Sequence, residues 1–247
     1  MKKKKTRKKK ILPVILTFLA ALIVAAAVVV VVFRTRTIEV TGSTYYSENT
    51  IRTWIQNDKL SVNSLYIVVK YDLLDGELPT GAEKFHVALE NPWTVLVTVE
   101  EKEMAGYVED DGAYLYFDGT GTAVLRTKKP VEGVPYIEGL TFDAAKVELG
   151  TRLPVEDEGI FEDIVDVTRN LKKYELVPDR LTCADDGIRL TFGIVEVTLG
   201  ESGYEEKLQQ VQPILEKLSE LYPDTAGTLY LDNYTKESDS IRFVPSE

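Results

Sequence analysis

The stretch FHVALENPWTVLVTV, residues 85–99, decides the fold of the first half of the chain. Apolar side chains occupy every second position of residues 85–89 and again of residues 95–99. Such alternation is typical of a strand with one buried face, and the intervening Glu90-Asn91-Pro92 is typical of a turn. The stretch therefore predicts two antiparallel strands joined as a hairpin.

A strand and two helices are predicted upstream of this hairpin. Thr37-Ile38-Glu39-Val40 alternates as a strand, and Gly42 ends it. Ser47 can cap a following helix, and residues 65–73 suggest a second short helix, although residues 66–69 would also suit a strand. The first helix places one apolar face towards the sheet, formed by Ile51, Trp54 and Ile55. The order is strand, helix, helix, strand, strand, and we expect Ile51, Trp54 and Val97 in its core.

An apolar run, residues 11–33, precedes this unit and contains only Pro13 and Thr17 outside the apolar set. A helix of that length spans a bilayer core of roughly 30 Å. A cleaved signal peptide is the alternative, but its apolar core is shorter, about 7 to 15 residues, and is followed by small residues at the cut site. The run is therefore interpreted as an uncleaved transmembrane signal anchor.

Charge is distributed unevenly along the chain, whose formal net charge is -11. The first 36 residues hold ten of the 29 basic residues and none of the 40 acidic ones. Eight of these charges precede the apolar run, so the positive-inside rule predicts a cytoplasmic basic tail, residues 1–10, and an extracytoplasmic body. Because that body carries 19 basic against 40 acidic residues, nucleic acid is excluded as its partner.

The second half predicts a larger mixed domain. Its helices are expected at residues 157–174 and 204–222, the latter with a kink at Pro213. Its strands are expected at residues 114–117, 123–125, 181–183, 188–192, 195–199 and 228–232. The polar tail, residues 235–247, is expected to be loose.

The sequence offers little catalytic chemistry. A single cysteine, Cys183, and a single histidine, His86, exclude an internal disulfide, a cysteine-rich zinc site and a multi-histidine metal site. Both residues fall at apolar-alternating strand positions, which favours structural roles. The carboxylate pairs Asp110-Asp111 and Asp185-Asp186 precede glycines and suit solvated turns better than a glycosidase site. We therefore expect no catalytic, cofactor-binding or metal-binding residues, no cofactor and no enzymatic activity.

Short motifs in a fixed order identify a family resemblance. They are Ile38-Glu39-Val40-Thr41-Gly42, Asn91-Pro92-Trp93-Thr94, Val97-Thr98-Val99-Glu100-Glu101-Lys102, Tyr114-Leu115-Tyr116-Phe117-Asp118 and Val134-Pro135-Tyr136-Ile137-Glu138-Gly139. The stretch from residue 37 to 108 resembles a POTRA domain, and the whole layout resembles the FtsQ/DivIB family of bacterial cell-division proteins. One departure is Met104, where the family usually has a proline.

The resemblance implies an α+β protein with a transmembrane helix at residues 11–33, a POTRA domain at 37–103 and an FtsQ/DivIB-type β domain at 104–234. It implies a non-enzymatic divisome scaffold in the cell membrane at the division septum. Its expected partners are DivIC/FtsB-like and FtsL-like bitopic proteins and, indirectly, the septal peptidoglycan synthase complex. An anchored cell-envelope enzyme or a POTRA-type secretion chaperone remains the alternative.

The partner site is expected on the last predicted strand, as an edge to which an extended partner segment adds by backbone pairing. The candidate residues are Thr228, Leu229, Tyr230, Leu231, Asp232, Asn233 and Tyr234. Alternation predicts Leu229 and Leu231 in the core and Tyr230 as an exposed anchor. The alternative is that Tyr230 covers a helix.

Overall fold

The computed structural model describes residues 8–110, 112–236 and 240–246. The chain is a mixed α+β protein with one apolar N-terminal helix and several sheets, as the sequence predicts at this level. It divides into two compact units, Met1–Glu101 and Lys102–Glu247. Most of the predicted basic tail, as well as Asp111 of the first carboxylate pair, lies outside the described residues.

Helix α1, Lys8–Val32, forms from the apolar run. Its segment Pro13–Val32 is long and apolar enough to cross a membrane, and the side chains of that segment are exposed along its length. Pro13 lies inside the helix, more than one turn after Lys8, where its missing N–H removes one intrahelical hydrogen bond.

The first unit has the predicted order of elements. They are β1 (Thr37–Thr41), α2 (Glu48–Gln56), a 3-10 turn (Lys59–Val62), α3 (Ser64–Val68) continued by a π turn (Val69–Leu73), β2 (Ala82–Asn91) and β3 (Thr94–Glu101). The sheet order is β1-β3-β2, with β1 parallel and β2 antiparallel to β3. Ser47 caps α2 as predicted, since its side chain accepts a hydrogen bond from the main chain of Thr50.

The core of this unit differs from prediction at one residue. Ile51, Ile55 and Val97 are buried, as expected of their faces. The prediction for Trp54 is wrong, because 37% of this residue is exposed and its indole Nε1 donates to the Glu77 carbonyl at 3.1 Å. A three-stranded sheet covers only the narrow stripe that Ile51 and Ile55 share, which leaves Trp54 at the margin of α2.

The second unit contains two sheets and two long helices. The first sheet has the order β4-β5-β6, with β4 (Met104–Asp110), β5 (Ala113–Asp118) and β6 (Ala123–Thr127). The second has the order β12-β11-β10-β9-β8-β7, with β7 (Ile137–Glu138), β8 (Arg180–Ala184), β9 (Gly187–Phe192), β10 (Val195–Gly200), β11 (Gly227–Tyr230) and β12 (Arg242–Pro245). Helices α4 (Ile160–Lys173) and α5 (Tyr204–Leu221) contribute buried side chains to the core that they share with these strands.

One apolar core joins these elements. Phe161 and Ile164 of α4 and Leu208 of α5 are buried together with Leu190 and Val197 of the central strands. At the β8–β9 turn the chain passes so close to β10 that a side chain at Gly187, where φ is +108°, would collide with the main chain of Gly200. Glycine is therefore required at this predicted turn.

The expectation of a loose tail, residues 235–247, is wrong for its last part. Arg242–Pro245 forms β12, which pairs antiparallel with β11. Phe243 packs against the core of the unit, and its partial burial offsets part of the entropy cost of ordering this short strand. The polar composition before residue 241 concealed this strand.

Candidate partner-binding site

The seven predicted site residues begin in a strand and end in a turn. Only Thr228 to Tyr230 belong to β11, and the chain then turns, with the Tyr234 amide donating to the Leu231 carbonyl at 3.0 Å. Asp232 and Asn233 are exposed in this turn, and Tyr234 packs partly against the core. The predicted strand of residues 228–232 is therefore shorter in the structure.

The prediction that this strand is an edge is wrong. β11 pairs on one side with β10, in parallel, and on the other side with β12, antiparallel. Its main-chain donors and acceptors are therefore occupied on both sides, and the edge of the sheet passes to β12.

The predicted alternation of side chains is confirmed. Leu229 and Leu231 are buried in the core, whereas Tyr230 lies half-buried on the opposite face. There the Arg242 guanidinium lies 4.3 Å from the centre of the Tyr230 ring, a cation–π contact across the β11–β12 pair. Tyr230 thus faces an arginine of β12, in place of the helix considered as the alternative.

A shallow cavity of about 260 Å³ opens on this face of the sheet. Its lining includes Asp186, Arg189, Glu196, Thr228 and Tyr230. We call this face, with β11 and β12, the Tyr230 face. It combines an aromatic ring with charges of both signs, which suits recognition of a peptide.

Arg189 is the central charge of the Tyr230 face. Its Nη2 donates to Asp186 at 2.6 Å and its Nη1 to Glu196 at 3.4 Å. The hydrogen bond from Arg189 lowers the pKa of Asp186, which keeps that carboxylate charged. The Nε of Arg189 is buried without a partner among the described residues. A buried donor left in that state costs about 1–3 kcal/mol.

The outer edge of β12 is a poor template for another strand. The Ser246 amide donates to the Ala226 carbonyl at 2.8 Å, which sets the alternation of main-chain groups along the pair. By that alternation Phe243 and Pro245 direct their main-chain groups away from β11. Proline has no N–H, so Pro245 removes a donor from the free edge and makes that edge less able to pair with another strand.

A second cavity, about 620 Å³, lies elsewhere in the second unit and is lined by acidic residues. Its lining includes Glu156, Asp157, Asp163, Asp185 and Glu201. Burial raises the pKa of Asp163, and it raises that of Cys183, also in the lining, to about 12, so this thiol is protonated and a weak nucleophile.

His86, the other side chain that the sequence offers for catalytic chemistry, does not line this cavity. His86 is exposed on β2 in the first unit, with its Nε2 3.1 Å from Glu100. Within residues 8–110, 112–236 and 240–246, no three side chains of His, Cys, Asp or Glu are grouped as metal ligands.

Sequence reasoning missed two residues of the Tyr230 face, Arg189 and Arg242. Arg242 lies in the short run Ile241-Arg242-Phe243-Val244, whose alternation could have indicated a strand. Arg189 carries no local sequence signal, because its neighbours come from β10 and from the turn before β9.

No known protein-family model matches the chain, and no curated protein matches it significantly.

Proposed function

We propose that this chain is a membrane-anchored, non-enzymatic scaffold of bacterial cell division, of the FtsQ/DivIB type. The observation that carries the proposal is the order of parts along the chain. An apolar helix long enough to span a membrane leads directly into a strand–helix–helix–strand–strand unit, and a second unit with a six-stranded sheet follows. The same order characterises the family that the sequence motifs resemble.

In this proposal the N-terminus is cytoplasmic and both units lie outside the membrane at the division septum. There the chain binds DivIC/FtsB-like and FtsL-like bitopic proteins and so helps to control the septal peptidoglycan synthases. A strongly acidic body supports a protein partner with basic segments more than a nucleic-acid partner.

The Tyr230 face is the proposed docking site. Since β11 is paired on both sides and Pro245 blunts the outer edge, an extended partner segment gains most by taking the place of β12. β12 has only four residues and is largely exposed, so its displacement costs little compared with a longer strand. The incoming segment would then lie beside Tyr230, in the place that Arg242 occupies in the free chain.

The proposal is tested by affinity purification of the tagged full chain from membranes after mild cross-linking, together with imaging of a fluorescent fusion. We expect capture of small single-span coiled-coil proteins and accumulation of the fusion at midcell. Uniform distribution around the envelope, with no such protein captured, would contradict the proposal.

An anchored envelope enzyme is the second candidate, because the acidic cavity contains Asp163, a carboxyl group whose pKa is raised by burial. Asp163→Asn separates the two candidates. A scaffold keeps its midcell position and supports division with this substitution, whereas an enzyme that uses Asp163 as an acid or base loses function although the fusion still localises.

A further inference from the structure

The end of α1 is hydrogen-bonded directly to the first unit. The Thr35 amide donates to the Val62 carbonyl at 2.8 Å, and the Ser64 amide donates to the Phe33 carbonyl at 2.8 Å. These bonds fix the loop around the 3-10 turn to the three residues that follow the end of the helix.

A second loop, the β2–β3 turn, is attached at the same place. The amides of Arg36 and Thr37 donate to the Trp93 carbonyl at 2.9 and 3.2 Å. The Arg36 guanidinium also lies 5.3 Å from the centre of the Trp93 ring. The indole is therefore held beside the segment that leaves the helix.

Both loops expose large apolar side chains there. The exposed fractions are 59% for Leu60, 64% for Val62 and 42% for Trp93. Three basic residues lie nearby in the chain, Arg34 and Arg36 in the connecting segment and Lys59 in the 3-10 turn. The acids of these loops are Asp58, which is paired with Lys70 at 2.7 Å, and Glu90, which is exposed.

The length of the helix sets the depth of these groups. Pro13–Val32 has 20 residues, which at about 1.5 Å each match a hydrocarbon core of roughly 30 Å. Val32 therefore lies at the hydrocarbon boundary, and groups bonded to residues 33–37 lie at headgroup level. Tryptophan is enriched at that level, where its amphipathic ring meets both lipid and water, and arginines near the end of a membrane helix extend towards the lipid phosphates.

We propose that Leu60, Val62 and Trp93 form a lipid-contacting surface that seats the first unit on the outer leaflet of the bilayer. This inference rests on the membrane anchor of the proposed function and is independent of the division role. The surface would fix the orientation of the first unit relative to the membrane, so that the unit does not swing freely on the anchor.

The two tryptophans of the chain provide a matched test. Trp54→Phe leaves Trp93 as the sole reporter, and Trp93→Phe leaves Trp54, which is similarly exposed but makes no bond to the helix exit among those described. Each full-length variant is reconstituted into vesicles of phosphatidylethanolamine and phosphatidylglycerol with lipids brominated near the headgroup. We expect several-fold stronger quenching of Trp93 than of Trp54, and the reverse with aqueous acrylamide.

A third variant adds Leu60→Ser and Val62→Ser to Trp54→Phe. Both side chains are exposed, so folding is retained, as circular dichroism would verify, while lipid quenching of Trp93 falls. Equal quenching of the two tryptophans in protein that resists alkaline extraction would overturn the lipid-contacting surface alone. Release of the chain by alkaline extraction would overturn the anchor and this surface together, yet leave septal binding open to the cross-linking test.

Discussion

At the residue scale, Tyr230 carries most of the proposed recognition, and Arg242 covers its ring in the free chain. Their cation–π contact joins β11 to β12 on a face where the Arg189 Nε has no partner among the described residues. Such contacts are worth about 0.5–1 kcal/mol when exposed, which is small enough for a partner to replace. The pair can therefore hold the free state and be exchanged on binding.

Tyr230→Ala is expected to weaken binding of the DivIC/FtsB-like partner at least about fivefold, since an aromatic anchor at an interface contributes more than about 1 kcal/mol. Affinity is measured with the purified full chain in detergent or nanodiscs. Thr182→Ala, on β8 of the same sheet, is the control and should leave affinity unchanged. Normal folding with wild-type affinity in the Tyr230 variant would remove this residue from the site.

Asp58 gives the first unit a defined acid response. Hydrogen bonds from Lys70 and Tyr66 lower the pKa of Asp58 from 3.8 to about 2 in the folded chain. Because the folded pKa is the lower one, the stabilisation is present above the unfolded pKa and is lost as pH falls from about 4 towards 2. Thermal unfolding of Asp58→Asn should show a loss of stability at pH 7 that disappears in this acid window. An equal loss at both pH values would show that the charge is not responsible.

At the element scale, strands with strong local alternation were predictable and pairing between distant strands was not. The hairpin of residues 85–99 forms because its pattern and turn lie within one short segment. The edge prediction for residues 228–234 failed because β12 returns from about twelve residues further on, and sequence alternation does not reveal which strand fills an edge. The prediction that Trp54 is buried failed for a similar reason, because the width of the sheet beneath α2 cannot be inferred from the local sequence.

Because Ile51 and Trp54 of α2 differ in burial, their substitution by alanine is expected to lower stability by different amounts. Ile51→Ala removes a fully buried side chain and should lower the free energy of unfolding of the first unit by about 2–5 kcal/mol. Trp54→Ala removes a partly exposed ring and one hydrogen bond, and should cost clearly less. Chemical denaturation followed by circular dichroism gives both values. A larger loss for Trp54 would contradict its position at the margin.

Deletion of residues 240–247 tests whether the partner pairs with β11 at the position that β12 occupies in the free chain. The deletion exposes the β11 edge, so we expect tighter partner binding together with a moderate loss of stability from the missing Phe243 contact. Affinity and the thermal midpoint are measured on the same preparations. Abolished binding in a folded deletion variant would mean that the partner binds β12 itself.

At the scale of the whole molecule, charge and hydropathy separate the chain into a basic start, an apolar helix and an acidic body. This arrangement was predictable from composition, because it needs no pairing information. It predicts that protease added to intact spheroplasts degrades the body and spares a short N-terminal peptide. Protection of the body until the membrane is opened would reverse the proposed orientation.

The central claim is that this chain serves cell division by binding bitopic partners through the Tyr230 face. The most direct measurement places a photoreactive amino acid at Tyr230 of the full chain in dividing cells and identifies the cross-linked product by mass spectrometry. We expect a small single-span coiled-coil division protein joined at this position, and no such product from the same amino acid at Thr182. Cross-linking to no division protein, in cells that divide normally and display the chain at the surface, would contradict the claim.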